Sequence, residues 1–238
     1  WASKSFTDLP EKENGQTITY SVHEVVPEGY TATNNGTVTV GKECTAAFTN
    51  THTPATVNVS VKKTWADENN QDGLRPDSVT FQLYQKIGEA EASEVSGKSV
   101  TLTKDDKWAE KSITGLPKYE GGIEIAYSFM EEAVNGYTAT SNPVEVGTDG
   151  KAAFTNTHTP GKIGITVEKT WADENNQDGL RPETLTFQLY KKIGEEKEQA
   201  VEGKTVVLQK SDDWASKSFT DLPEKENGQT ITYSVHEV

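Results

Sequence analysis

Lys63 stands where a lysine is hardest to place. With the two-residue period of a strand, Val57, Val59, Val61, Lys63 and Trp65 share one face, apolar except for the lysine. An unpaired ammonium on a buried face is very costly, so the position demands a chemical reason. The pattern returns at Ile163, Ile165, Val167, Lys169 and Trp171. Two further polar residue types fall on apolar strand faces. Glu131 follows Tyr127 and Phe129, and its copies Glu24 and Glu237 follow Tyr20 and Val22 and Tyr233 and Val235. Asn156 follows Ala152 and Phe154, and Asn50 follows Ala46 and Phe48.

An amine, a carboxyl and a carboxamide turned into one core point to a specific reaction. Burial disfavours charge, so it lowers a lysine pKa and raises a glutamate pKa. A neutral amine is a nucleophile. A protonated carboxyl can donate to the carboxamide oxygen and shuttle protons. Attack on the amide carbon with loss of ammonia leaves a neutral Lys–Asn isopeptide bond between the first and last strands, helped by proximity in the folded core. Two blander readings stay open here. Lys63 snorkels, its stem packed and its amine in water, with adjacent Lys62 leaving the register ambiguous by one. Alternatively Lys63 and Glu131 form an unreacted ion pair.

The elements that must position these groups read as strands throughout: alternating Val79–Tyr84, a shorter stretch Ser99–Thr103, Ile125–Glu131 and Ala152–Asn156, separated by gaps rich in Gly, Pro, Asn and Asp. Internal repeats set the architecture. Trp65–Pro76 recurs unchanged at 171–182, and Phe48–Pro54 at 154–160, both 106 residues on. Gly29–Thr33 recurs at 136–140. The unit of about a hundred residues suits a β-sandwich. Residues 1–25 are identical to 214–238. The chain therefore divides into the C-terminal part of a domain (1–54), a complete domain (55–159) and the N-terminal part of a third (160–238). A half-sandwich leaves a sheet edge and half a core uncovered. The expectation is that a 1–54 segment completes a 160–238 segment, by preference from another copy, so that 1–25 and 214–238 compete for one place.

Composition narrows the function classes. Of 238 residues 33% are hydrophobic, and the formal net charge is −14. That balance argues against a nucleic-acid partner. No run is apolar and long enough to span a membrane. The chain begins at Trp1 rather than methionine and reads as an excerpt of something longer. Its single cysteine, Cys44, has Gly150 as its counterpart in the next repeat and reads as an incidental thiol. The acidic loop Asp67–Gly73 misses EF-hand spacing and reads as a turn-rich loop. His23, His52 and His158 read as solvated, and the tryptophans as core or sheet-rim residues. With no nucleophile triad, phosphate loop or metal spacing, the reading is a protein without cofactor or metal, and not an enzyme.

The ordered set Val-x-Lys-x-Trp, Asp-Glu-Asn-Asn-Gln-Asp-Gly-x-Arg-Pro, Tyr-Ser-x-x-Glu, Gly-Tyr-Thr-Ala-Thr and Phe-Thr-Asn-Thr-His resembles the B-type repeat of collagen-binding adhesins (CnaB) over essentially the whole chain. The resemblance implies all-β, tandem Ig-like (prealbumin-like) sandwiches of about seven strands. It also implies a stalk or pilin module of Gram-positive surfaces, secreted and anchored to the cell wall, often with an internal crosslink. Carried onto this sequence, Lys63 is the nucleophile, Glu131 the acid and Asn156 the acceptor. Lys169 pairs with Asn50 under the completion hypothesis, with Glu24 or Glu237 as acid. The expected partners are neighbouring repeats and other copies. A host surface ligand belongs to the alternative reading, a binding module with variable loops. The unchanged loop at 65–76 and 171–182 favours the spacer.

Overall fold

The computed structural model describes residues 2–41 and 44–238. It forms two compact units, Trp1–Ala55 and Thr56–Val238. The described residues of the first hold six short strands. β1 (Lys12–Glu13) pairs with β2 (Gln16–Thr17), β3 (Ser21–His23) with β5 (Thr37–Thr39), and β4 (Thr31–Ala32) with β6 (Asn50–Thr51). Among its described residues only Gly36 is buried.

The second unit opens with a complete sandwich. Its strands are β7 (Thr56–Ala66), β8 (Ser78–Ile87), β9 (Ser93–Thr103), β10 (Lys111–Pro117), β11 (Tyr119–Glu120), β12 (Ile123–Glu131), β13 (Thr138–Ala139), β14 (Val144–Glu145) and β15 (Lys151–Thr157). One sheet runs β10-β7-β15-β13 and the facing sheet β11-β12-β8-β9, with β14 also on β12. β7 and β15, the first and last strands, lie side by side and parallel, with Lys63 opposite Phe154 and Trp65 opposite Asn156. Alternation supplies the core: Val59 and Val61 from β7, Phe81 and Leu83 from β8, Tyr127 and Phe129 from β12, Ala152 and Phe154 from β15. The Phe81 and Phe154 rings meet at 4.8 Å between centroids.

The following repeat starts β16 (Lys162–Val167), β17 (Thr184–Ile193), β18 (Gln199–Gln209), β19 (Lys217–Pro223), β20 (Lys225–Glu226) and β21 (Gln229–Glu237). β16 pairs with β19, and the facing sheet runs β18-β17-β21-β20. Val167, Phe187, Leu189, Leu208, Trp214, Phe219 and Leu222 make its core.

The all-strand reading holds for type, and two short 3-10 turns interrupt it at Thr33–Gly36 and Lys210–Asp212. Ser99–Thr103 is the end of a longer strand, β9, because β8 pairs with it along both halves across a register shift. The identical segments 1–25 and 214–238 differ in context. In the second copy β21 pairs with β17 over seven residues, and Phe219 and Leu222 are 4% and 3% exposed. In the first copy only Ser21–His23 is paired within that stretch of strand, and Phe6 and Leu9 are 77% and 50% exposed. One sequence takes two degrees of order because a strand needs a neighbour to bond and a facing sheet to bury against.

Candidate functional site

Three side chains converge inside the complete sandwich. Lys63 points inward from β7 between Val61 and Trp65. Asn156 points inward from the adjacent β15, and Glu131 ends β12 in the opposite sheet. All three are buried. Lys63 Nζ lies 2.7 Å from Glu131 Oε1, and the two side chains are 0% and 2% exposed. The Asn156 Nδ2 amide donates to the same Glu131 oxygen at 3.2 Å. One carboxylate oxygen thus touches both the amine and the carboxamide nitrogen. Asn156 Oδ1 is buried with no hydrogen-bond partner. The Lys63–Glu131 contact is a close ion pair whose angles fall short of a hydrogen bond, so the ammonium protons have no well-directed acceptor.

Burial pulls the Lys63 pKa below that of an ordinary lysine, and pairing with Glu131 offsets part of that pull. The Trp65 ring adds a cation–π contact, its centroid 4.4 Å from Nζ. That ring is fixed edge-on by Trp108 at 5.0 Å and Tyr137 at 4.9 Å.

Sequence reasoning missed what holds Glu131. The Asn142 side chain brackets its backbone: Glu131 N donates to Asn142 Oδ1 at 2.9 Å, and Asn142 Nδ2 donates to Glu131 O at 2.9 Å. The Asn142–Pro143 dipeptide signals a turn, which hints at a side-chain bracket but not at its target. The loop after β7 was read as a turn, and its anchor was also missed. Asp67 accepts from Asn70 N at 3.0 Å, from Arg75 Nε at 2.7 Å and from Tyr137 Oη at 2.7 Å. Its pKa is held down to about 2, chiefly by Arg75. Burial and the Asp67 charge push the Tyr137 phenol well up.

The other expected residues appear in partial sets. Lys169 Nζ lies 2.9 Å from Glu237 Oε2, with side chains 24% and 43% exposed, and 4.8 Å from the centroid of the Trp171 ring. In the first unit Asn50 Nδ2 donates to Glu24 Oε1 at 2.6 Å. Glu24 Oε2 and Asn50 Oδ1 are buried without partners. Lys169 and Asn50 belong to different compact units.

The reading of His158 as solvated is overturned. Its side chain is 18% exposed, with Nδ1 2.9 Å from Gly136 O and Nε2 2.8 Å from Asp72 Oδ2. Two acceptors facing the two ring nitrogens suit the doubly protonated imidazolium. Asp72 raises the His158 pKa accordingly.

Comparison with known proteins places this chain in a family. The collagen adhesin of Staphylococcus aureus is 35% identical over 235 residues, which is 98% of this chain, and the chain spans 18% of that relative's length. A crystal structure of two B repeat units of the Staphylococcus aureus collagen-binding protein is 34% identical. It covers 97% of this chain and 55% of its own, at a TM-score of 0.44. A single B repeat unit of that protein is 35% identical over 77% of this chain and 86% of its own, with a TM-score of 0.35. The Cna protein B-type domain family matches residues 1–50, 59–157 and 165–238, and this chain belongs to it.

Proposed function

We propose that this chain is a segment of a tandem-repeat stalk on a Gram-positive cell surface, stabilised by self-formed Lys–Asn isopeptide bonds. The observation that carries the reading is the shared Glu131 oxygen, 2.7 Å from Lys63 Nζ and 3.2 Å from Asn156 Nδ2. Glu131 takes a proton from the Lys63 ammonium, freeing the amine lone pair. The amine attacks the Asn156 amide carbon, and the C–N bond to Nδ2 breaks. The proton held by Glu131 passes to the departing nitrogen, the attacking nitrogen sheds its second proton by way of the same carboxylate, and the group leaves as ammonium, that is, ammonia plus the proton the lysine first carried. Glu131 ends unchanged, and each site reacts once, so the protein is a reagent on itself and not a turnover enzyme. The sequence reading aimed Glu131 at the carboxamide oxygen; the observed contact is to the leaving nitrogen. Lys169 with Glu237, and Asn50 with Glu24, are parts of such triads, and completion of the 160–238 part by a 1–54 segment of another copy would bring Lys169 to Asn50 with Glu24 or Glu237 as the acid.

The spacer reading outweighs ligand recognition because the invariant loop, Asp67–Gly73, is occupied in contact with the next repeat. Intact mass tests the crosslink. A chain with the bond is lighter by about 17 Da for each ammonia lost, as amide-forming attack requires. Lys63→Ala restores that mass for its domain. Full mass in the unsubstituted chain overturns the crosslink and leaves a plain sandwich spacer.

A further inference from the structure

A joint between repeats is formed once inside residues 56–238. The Gly228 amide donates to Gln71 O at 3.0 Å. Gly73 and Gly228 meet backbone to backbone: a methyl on Gly73 would stand 2.5 Å from Gly228 Cα, and one on Gly228 would stand 3.1 Å from Gly73 Cα. Beside them Asp72 Oδ2 accepts from the linker amide of Gly161 at 3.3 Å. The joint needs glycine on both sides, for space as well as for φ of +69° and +79°.

Both halves of this joint occur again without a partner among the described residues. The loop Asp173–Gly179 keeps the sequence of Asp67–Gly73 and its shape. Glu174, Asn175, Asn176 and Gly179 have φ of 46°, 59°, 64° and 69°, against 50°, 60°, 61° and 69° in the engaged loop. Arg181 Nε holds Asp173 at 2.7 Å, as Arg75 Nε holds Asp67. Around Gly179 there is open space. The hairpin turn Gly121–Gly122, with φ of 56° and 82°, occupies the position of Asn227–Gly228, with 51° and 79°, and it too faces open space. Neither half has to change shape to dock, which removes most of the ordering cost. The turn is flanked by exposed apolar groups: Tyr119 and Ile123 beside it are 46% and 51% exposed.

The sequence order selects the hairpin. Because 1–25 equals 214–238, the repeat at 160–238 is of the kind that at residues 1–54 precedes the repeat carrying Gly121–Gly122. We propose that the loop Asp173–Gly179 is a docking surface for the Lys118–Gly122 hairpin of another repeat of this same protein, closed by Gly179 against Gly122 and by the Gly122 amide on the Gln177 carbonyl. Tyr119 then takes the place of Lys225 beside the loop. The inference rests on the tandem-stalk reading but not on its crosslink.

A second copy of the 238-residue chain supplies the hairpin for the test. With 15N-labelled chain raised to about millimolar concentration, the range a short linker provides within one chain, amide shifts are expected at 174–180 and 118–123. Gly179→Ala and Gly122→Ala each weaken the association about tenfold or more, because the added methyl meets the facing glycine. Gly203→Ala, at a φ of +67° with open space around it, leaves the association unchanged. Absence of shifts, shifts at 12–15 in place of 118–123, or indifference to Gly179→Ala overturns the proposal. Mass separates it from the crosslink: a light chain that does not associate loses only the docking surface, and an associating chain of full mass loses only the crosslink.

Discussion

At Lys63 burial and pairing oppose each other, and the counter-charge is what lets the amine remain inside. Glu131→Gln removes it while keeping the shape. The expected outcome is no loss of ammonia and a fall in unfolding free energy of about 3–5 kcal/mol, the cost of stranding a buried charge. Denaturant titration measures the second effect and mass the first. The double variant Lys63→Met, Glu131→Leu is expected to regain much of that stability with no crosslink, because apolar groups of similar volume replace a desolvated pair. The inward direction of Lys63, Glu131 and Asn156 was legible in the sequence because strand period alone assigns a face. The Asn142 bracket on Glu131 was not, because a side chain bonding across a turn leaves no periodic trace. His158 was misread for a related reason: its partner Asp72 lies 86 residues away on a loop whose path only the packed sandwich defines.

At the scale of elements, the β7–β8 loop is tied to the turn before β13 through Asp67, Arg75 and Tyr137. Asp67 has a depressed pKa, so its contribution is complete above the ordinary carboxylate range near 3.8 and is lost as pH falls through about 2. A shift of that size corresponds to about 2 kcal/mol. Asp67→Asn is expected to remove about that much stability at neutral pH and to flatten the acid limb of thermal stability in the complete domain. Arg75→Met is expected to lose most of the same effect. The turn character of this loop was readable from its Asp, Asn and Gly content. Its tie to Tyr137 was not, since a phenol 70 residues on gives no local signal. Strand type was likewise readable, and strand length was not: the identical segments around Tyr20 and Tyr233 are ordered to different extents according to their neighbours.

Over the whole molecule, the proposed stalk role divides into what happens within repeats and what happens between them. Between repeats, His158 anchors Asp72, which also receives the linker amide at Gly161. Asp72 and Asp67 face the imidazole from the loop, and the Tyr137 ring packs on it at 5.6 Å. Because Asp72 raises the His158 pKa, its contribution is complete below about 6.5 and is lost as pH rises through the raised value. Exchange protection of the Gly161 amide is expected to fall over that rise, and His158→Gln to remove the pH dependence. Within a repeat, the proposed bond closes the segment 63–156. Single-molecule stretching is expected to skip the complete domain, whereas Lys63→Ala gains an unfolding step of about 30 nm, the extended length of that segment.

The parallel course of β7 and β15 has a mechanical corollary. A chain that enters along one strand and leaves along its parallel neighbour does so at opposite ends of the sheet, so tension loads their hydrogen bonds in shear, all at once. An antiparallel pair of termini would instead peel apart rung by rung from one end. With or without the proposed covalent tie, this sandwich is strung in the direction in which a ladder resists most.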